Sequence, residues 1–344
     1  MSGDNGLLSI CCLGYNHADF ILDNIKAVWN SDYKNIEIIV VDDGSKDDSA
    51  KILKDLQKLS PFPMTVVLQE NTGNIGHNLN VALKHAKGQF VAFISLDDIL
   101  CSDKIKKCIT KLSENPSLAF IASSEVYAID RNGNKIHTVP ESKLNTLENV
   151  TIDDLLDLEY NEFGAFYIQG AFFRKKIIDI IGGFDEDMTG DDIVLRTKLF
   201  RYIKSNPEYV YDIIREHTCC YRRHGENVSK NIRRQIKIVT EYLGRYWPDK
   251  KNPEILVSWA LYAISVLSFK DVLSLFSMNA RATSLLNNDL IQNKLFKKVK
   301  SKILFKFFNI LSIYKTKTET ERKIIFEVCD HKLFELKFNR KLKK

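Results

Sequence analysis

Two carboxylates side by side at the end of an apolar run are the first residues in this chain that ask for chemistry. The run is FVAFISL (90–96), and Asp97 and Asp98 follow it directly. Adjacent carboxylates repel, and taking them out of water is costly unless something positive is at hand. A divalent cation meets that need. Hard oxygen ligands suit Mg2+ or Mn2+, and an ion held by few protein groups has room for a diphosphate. The competing reading is a solvated turn or a cap, with Ser102 or Asp103 starting the next helix. A second acidic pair, Asp42-Asp43 in DDGS, ends a second apolar run. A carboxylate there can accept a ring N–H of a nucleobase. Tyr15, in LGYN, offers an aromatic face for stacking. A plain turn and ordinary packing are the alternatives for these two.

Two more clusters lie downstream. Asp191 and Asp192, in MTGDDIVL, open a helical pattern. They either complement the helix dipole or supply a general base. His224 follows Arg222 and Arg223 in YRRHGENVSK. That company suits phosphate, although a lone histidine is more often structural. No GxGxxG follows the first apolar run, and no GxxxxGK[ST] occurs. Both absences argue against a dinucleotide fold and a phosphate-loop nucleotidase.

Positioning such groups requires strands that end together. LLSICCLG, IEIIVVDD, MTVVLQE and QFVAFISL read as strands. Between them, HADFILDNIKAVWNSD, DDSAKILKDLQKL and the stretch from Asn71 to Gly88 have helical spacing. Strand and helix in alternation predict an α/β fold with a mostly parallel sheet. Ligands of such sheets gather at the carboxyl ends of the strands. Tyr15-Asn16, Asp42-Asp43, the loop 71–80 and Asp97-Asp98 all fall there. SDKIKKCITKLSENP then predicts a helix and LAFIASSEVYAID a strand turned by RNGN. YIQGAFFRKKIIDIIGGFDEDM predicts a strand, a helix and a glycine stop. From about residue 230 the pattern is mostly helical.

The chain has 344 residues, with 44% apolar and 27% charged residues, which describes a globular protein with a sizeable core. The N-terminus has no basic segment leading a long apolar one, so a cytoplasmic protein is expected. ILVSWALYAISVLSF (255–269) is short for a membrane span and predicts a buried helix. Seven cysteines without a CxxC predict reduced core thiols. Residues 294–344 hold 16 Lys and Arg against 5 Asp and Glu, a net of +11. Since the whole chain is +6, residues 1–293 carry −5. A basic tail on a mildly acidic body suits a partner rich in phosphate, an anionic membrane surface or a nucleic acid. KLFKKVKSKILFKFFNILSIY predicts an interfacial helix within it. No recognised nucleic-acid-binding module is visible.

The stretches SICCLGYNHADFILDNIKAVWNSDYKNIEIIVVDDGSKDDS, ENTGNIGHNLNVALKHAKGQFVAFISLDDIL, IQGAFFRKKIIDIIGGFDEDMTGDDIVL and YRRHGENVS stand in that order between residues 7 and 230. As a set they resemble the family 2 glycosyltransferases, whose fold is GT-A. The resemblance implies a glycosyltransferase domain over 1–230, with a nucleotide-binding half to 100 and an acceptor-side half beyond. A helical, basic region follows over 231–344. By position, Asp43 would accept the uracil N–H beside Tyr15 and Asn16. Asn74, Asn80 and Arg223 would touch the donor, and Asp97 its ribose. Asp98 and His224 would hold Mn2+ or Mg2+. Asp192, next to Asp191, would be the base. Asp191 stands where Glu is usual, Val194 where a further Asp is frequent, and Leu79 where many members have Arg. The implied reaction is inverting transfer from a UDP-sugar to a saccharide, on a lipid diphosphate, for O-antigen or capsule at the inner face of the plasma membrane. A catalytically silent nucleotide-sugar- or polyanion-binding protein, or a metal-dependent phosphohydrolase, would also account for the paired acids.

Overall fold

The computed structural model describes residues 6–136, 143–225, 231–303, 311–317, 321–328 and 331–339, with side chains as far as residue 298. Contacts divide the chain into two compact units, Met1–Ile255 and Leu256–Lys344. The first unit begins β1 (Leu8–Gly14), α1 (Ile21–Trp29), β2 (Ile36–Asp42), α2 (Ser49–Leu59), β3 (Met64–Leu68), α3 (Ile75–His85), β4 (Phe90–Ser95) and β5 (Ile99–Leu100). It continues α4 (Ser102–Glu114), β6 (Leu118–Ser123), β7 (Tyr127–Ile129), β8 (Lys135–Ile136), α5 (Ile152–Asn161), β9 (Phe172–Arg174) and α6 (Lys175–Ile180). It closes with α7 (Asp192–Ser205), β10 (Val210–Ile214), β11 (Cys219–Arg222) and α8 (Ile232–Tyr246).

Seven strands form one sheet in the order β10-β6-β9-β4-β1-β2-β3. All pairings are parallel except those of β9, which lies antiparallel between β4 and β6. The mostly parallel α/β expectation is met, with this one reversal. Successive residues of a strand face opposite sides, so a sheet buried on both faces reads as an unbroken apolar run. Leu8, Ile10 and Cys12 join one core, with Ile36, Ile38, Val40, Phe90 and Ala92. Cys11, Ile39, Val41, Val91 and Phe93 join the other. Each buried Leu, Ile or Phe contributes about 1.5–3 kcal/mol.

The predicted strand 118–130 is two strands. Ser123 donates to the carbonyls of Glu125 and Glu216 and breaks the run there. The second piece, β7, enters a smaller sheet ordered β5-β11-β7-β8. That sheet matters for function. β5 follows Asp98 directly and pairs antiparallel with β11, bringing residues 219–224 to the end of β4.

Cys11, Cys12, Cys108 and Cys219 are buried free thiols, and Cys101 and Cys220 are free and partly covered. α8 belongs with the first unit: the Tyr242 and Thr197 hydroxyls share a hydrogen bond of 2.7 Å. The second unit holds most of α9 (Glu254–Val266), then α10 (Phe269–Phe276), α11 (Ala280–Ser284) and α12 (Asp289–Ile303). Among the described residues no helix is long and apolar enough to cross a membrane. The expected helix 294–314 is seen to Ile303, within α12; residues 304–310 lie outside the described residues, and from Leu311 the chain is strand. There the fold departs from the mostly helical expectation. β12 (Leu311–Lys317), β13 (Glu321–Val328) and β14 (His331–Asn339) form an antiparallel meander. The sequence reason is period-two alternation, as in Phe334, Leu336 and Phe338 against Glu335 and Lys337.

Candidate active site

Strand register sets the frame. Gly14 lies opposite Asp42, and Leu13 opposite Ser95. Past the strand ends the pairing continues: Asp43 N donates to Gly14 O at 2.9 Å, and Leu96 N to Leu13 O at 2.8 Å. Asp43 and Asp97 therefore flank the segment Tyr15-Asn16-His17. The chain turns there through Asn16, which sits at φ 54°, a left-handed conformation that asparagine tolerates better than most residues. Its side-chain oxygen accepts from Lys46 N at 2.8 Å, and its own N–H donates to Ser45 Oγ at 2.8 Å. Asn16 thus builds the turn. Tyr15, 39% exposed, is left with a ring open to solvent.

Asp43 is buried in a cradle of donors. Its Oδ1 accepts from Thr72 N (2.8 Å), Thr72 Oγ1 (2.9 Å) and Gln69 Nε2 (3.1 Å). Its Oδ2 accepts from Gly73 N at 3.0 Å. Burial pushes this carboxyl upward, but the Thr72 N–H and the side chains of Gln69 and Thr72 outweigh it and hold it below the usual range. The group is a fixed anion, and Oδ2 has capacity for one more N–H. The Asp43 turn needs Gly44 at φ +71°, where a Cβ would stand 2.6 Å from Asn71 N.

Asn74 and Asn80 have other partners than a donor. Asn74 caps α3 by accepting from His77 N at 3.0 Å, and donates to Glu186 O. Asn80 accepts from Phe184 N at 3.0 Å, and its amide donates to Phe184 O and Glu186 Oε1, both at 2.9 Å. The two tie the 71–80 loop to the 184–186 turn.

The two members of the pair at the end of β4 have different partners. Asp98 is 1% exposed. Its Oδ1 accepts the backbone N–H of Arg222 at 2.8 Å, and its carbonyl accepts from Asn24 Nδ2 at 2.8 Å. Burial first, then the charge of Asp97, push its carboxyl well above the usual range. Asp98 thus faces β11. Asp97 faces two imidazoles: its Oδ2 lies 3.0 Å from His224 Nε2 and 4.0 Å from His17 Nε2. Its Oδ1 is buried without a hydrogen-bond partner. Burial raises this carboxyl, but His17 and hydrogen bonds from Ser95 and His224 bring it below the ordinary value. His17 itself is lowered, by burial first, with Asp97 pulling the other way.

The family's divalent cation fits here on one observation. A buried anionic oxygen with no donor is expensive, and a cation would satisfy it. Asp97 and His224 would hold the ion. Among the described residues no three His, Cys, Asp or Glu groups already converge on one point, so diphosphate oxygens and water would fill the other positions, as small divalent ions prefer.

Arg222 and Arg223 part company too. Arg222 is fully buried. It donates from Nε to Asp97 O (2.8 Å), from Nη1 to Arg131 O (2.8 Å) and from Nη2 to Asp23 Oδ2 (3.2 Å). It staples β11 under the acidic pair. Arg223 is exposed. Residues 226–230, the rest of that motif, lie outside the described residues.

Asp191 and Asp192 start α7. Asp191 makes no side-chain cap bond. Asp192 Oδ1 is buried and unpartnered, while Oδ2 is 3.7 Å from Arg196 Nη1. Burial, and then the charge of Asp191, raise the Asp192 carboxyl well above its ordinary value; Arg196 opposes them. A carboxyl with raised proton affinity is a candidate for proton transfer. Arg196 is itself anchored by Glu159, with Nε to Oε1 at 2.6 Å and Nη2 to Oε2 at 3.2 Å, both residues buried. Removing one partner of such a pair strands a buried charge, at about 3–5 kcal/mol. Glu159→Ala should lower the urea midpoint accordingly; an unchanged midpoint would show the pair to be dispensable.

Several of these residues escaped the sequence reading. Asn24 and Glu159 were visible in principle, as polar residues on the apolar faces Ile21-Ile25-Val28 and Leu155-Leu156-Leu158. His17, Gln69 and Thr72 carry no local signal.

The profile of glycosyl transferase family 2 matches residues 9–182. A poly-beta-1,6-N-acetyl-D-glucosamine synthase of Staphylococcus epidermidis is 29% identical over 276 residues, covering 74% of this chain and 63% of that protein. An uncharacterized glycosyltransferase of Rickettsia prowazekii is 30% identical over 197 residues, 57% of this chain and 59% of that one. The chain thus spans less than two thirds of the length of these relatives. Among solved structures, S. aureus TarS 1–349 in complex with UDP-GlcNAc superposes with a TM-score of 0.56 at 16% identity, over 95% of this chain and 98% of that one. The mannosyltransferase PcManGT of Pyrobaculum calidifontis, in complex with GDP-Man and Mn2+, gives 0.51 at 16% identity, over 88% of both. These two likenesses concern the fold, which is of the GT-A kind. With half the chain matched by the family's profile, this protein belongs to glycosyl transferase family 2.

Proposed function

We propose that the protein transfers a sugar from a UDP-sugar to a saccharide acceptor with inversion at the anomeric carbon, in building a surface polysaccharide such as O-antigen or capsule. The observation that carries this is Asp97 at the sheet's carboxyl edge, whose Oδ2 meets His224 while its Oδ1 is buried without a partner. Relatives named for poly-N-acetylglucosamine synthesis, and a fold neighbour holding UDP-GlcNAc, support the donor class.

Asp43, with its spare oxygen capacity, accepts the base N–H, and the Tyr15 ring lies against the base. Asp97 and His224 would hold the cation, which when bound would offset charge on the leaving diphosphate. Arg223 adds a second positive group. Asp192 takes the proton of the acceptor hydroxyl as that oxygen attacks, and Arg196 and Glu159 fix its position. No covalent intermediate is needed.

The base works deprotonated, so transfer rises with pH through the Asp192 pKa. Asp191→Asn removes the like charge that raises it. The acid limb of the rate profile should therefore move to lower pH; a limb that stays put rules out the coupling.

The acceptor is proposed to be carried on a lipid diphosphate at the inner face of the plasma membrane. The +11 net charge of residues 294–344 supports docking there. Full-length protein should sediment with anionic vesicles at low salt and release as salt rises. Indifference to vesicles at low salt would remove this part.

Release of UDP from a panel of UDP-sugars, with Mn2+ and with or without saccharide, tests the whole. Acceptor-dependent release supports transfer. Acceptor-independent release marks a hydrolase, and UDP binding without turnover marks a silent binder.

A further inference from the structure

His17 follows Tyr15-Asn16 on the turn after β1, a segment with no assigned role beyond the base. Its backbone N–H is fixed by Ser49 Oγ at 3.1 Å. Its ring is largely covered, with Nδ1 buried and unpartnered. Nε2 points at Asp97 Oδ2, the oxygen that also meets His224. The two imidazole rings lie 6.5 Å apart and nearly perpendicular. Phe20 touches both rings, at 6.2 Å and 5.1 Å, and walls the cluster on one side.

We propose that His17 is a third protein ligand of the cation, so that two imidazoles and one carboxylate form the seat. The proposal rests on the glycosyl-transfer reading for the presence of a cation at Asp97. Ligand atoms around a small octahedral ion, at about 2.0–2.1 Å from it, stand about 3 Å apart. The Asp97–His224 separation of 3.0 Å meets this as it stands. His17, at 4.0 Å, reaches it when its ring swings in by about 1 Å. The chemistry of the set has a consequence. Imidazole nitrogen favours transition-metal ions, whereas Mg2+ seeks oxygen. A seat with two imidazoles selects Mn2+ or Co2+ over Mg2+. With three protein ligands it also holds its ion before any nucleotide arrives.

The packing role of His17 against Phe20 can be separated from ligation by two substitutions. His17→Phe keeps an aromatic ring and removes the nitrogen. His17→Asp gives up the ring and supplies a hard oxygen ligand. The full chain is titrated with Mn2+, and separately with Mg2+, without nucleotide and with UDP. Binding is followed by loss of the free-Mn2+ paramagnetic resonance signal and by calorimetry. Wild type should bind Mn2+ without UDP and more tightly than Mg2+. His17→Phe should lose at least about tenfold in Mn2+ affinity, with metal-free UDP binding unchanged. His17→Asp should retain a metal and shift its preference toward Mg2+. Wild-type Mn2+ affinity in His17→Phe overturns the proposal and leaves the transferase reading intact. Equal loss in both variants also overturns it, because a carboxylate within reach of the ion would keep it bound. Failure of wild type to bind Mn2+ even with UDP removes the cation from the site, and the transferase reading's use of it as well.

Discussion

Asp97→Asn should abolish Mn2+-assisted UDP binding and slow transfer by roughly 10³-fold. That factor corresponds to about 4 kcal/mol, the scale on which a bound cation stabilises charge building on a leaving diphosphate. The amide keeps the size of the side chain but not its charge, and a neutral oxygen is a poor ligand for a hard ion. The adjacent substitution should behave otherwise. Asp98→Asn retains an oxygen for the Arg222 N–H and removes a buried like charge beside Asp97. Mn2+ binding should persist in it, with unchanged or higher thermal stability. Calorimetry of UDP with and without Mn2+, on both variants, decides. Loss of Mn2+ binding in Asp98→Asn alone would return the cation to Asp98.

The second large effect belongs to Asp192. Asp192→Asn cannot take a proton, and loss of base catalysis costs about 10²–10⁴-fold in rate. UDP and Mn2+ affinities should be unchanged, because Asp192 stands at the start of α7 next to Arg196, not at the strand ends that carry Asp43 and Asp97. Asp191→Asn should cost far less at its own optimal pH. It leaves the base in place and only lowers the proton affinity of its neighbour. A dead Asp191→Asn with a near-normal Asp192→Asn would exchange the two roles. Weakened UDP binding in Asp192→Asn would move the acid to the donor side.

Much of the frame is written locally. Strands buried on both faces must be unbroken apolar runs, so β1, β2 and β4 are visible from composition alone. Their ends must turn polar, so Tyr15, Asp43 and the pair at 97–98 are visible as a set. Helix periodicity likewise placed Asp191 and Asp192 at the start of α7. Local pattern does not say which of two neighbouring residues points where. Asp97 and Asp98 differ in their surroundings because β5 bends back to pair with β11, a strand from more than a hundred residues downstream. That pairing supplies the Arg222 N–H that Asp98 accepts. It also supplies the His224 ring that meets Asp97. Asn74 and Asn80 looked free to meet a donor until the 184–186 turn came to occupy their amides. The reversed strand β9 and the meander 311–339 escaped for related reasons. Three residues are too short to show a direction, and basic alternation within a helical region reads as a helix face. His17 is the extreme case: one histidine in a turn, given a role only by the two groups that folding sets beside it. The sequence by itself determined the sheet, its edge and the kinds of group along that edge, because burial periodicity is a local constraint. Tertiary structure alone decided which carboxylate meets the Arg222 N–H and which meets His224, because that depends on hydrogen bonds between residues far apart in the chain.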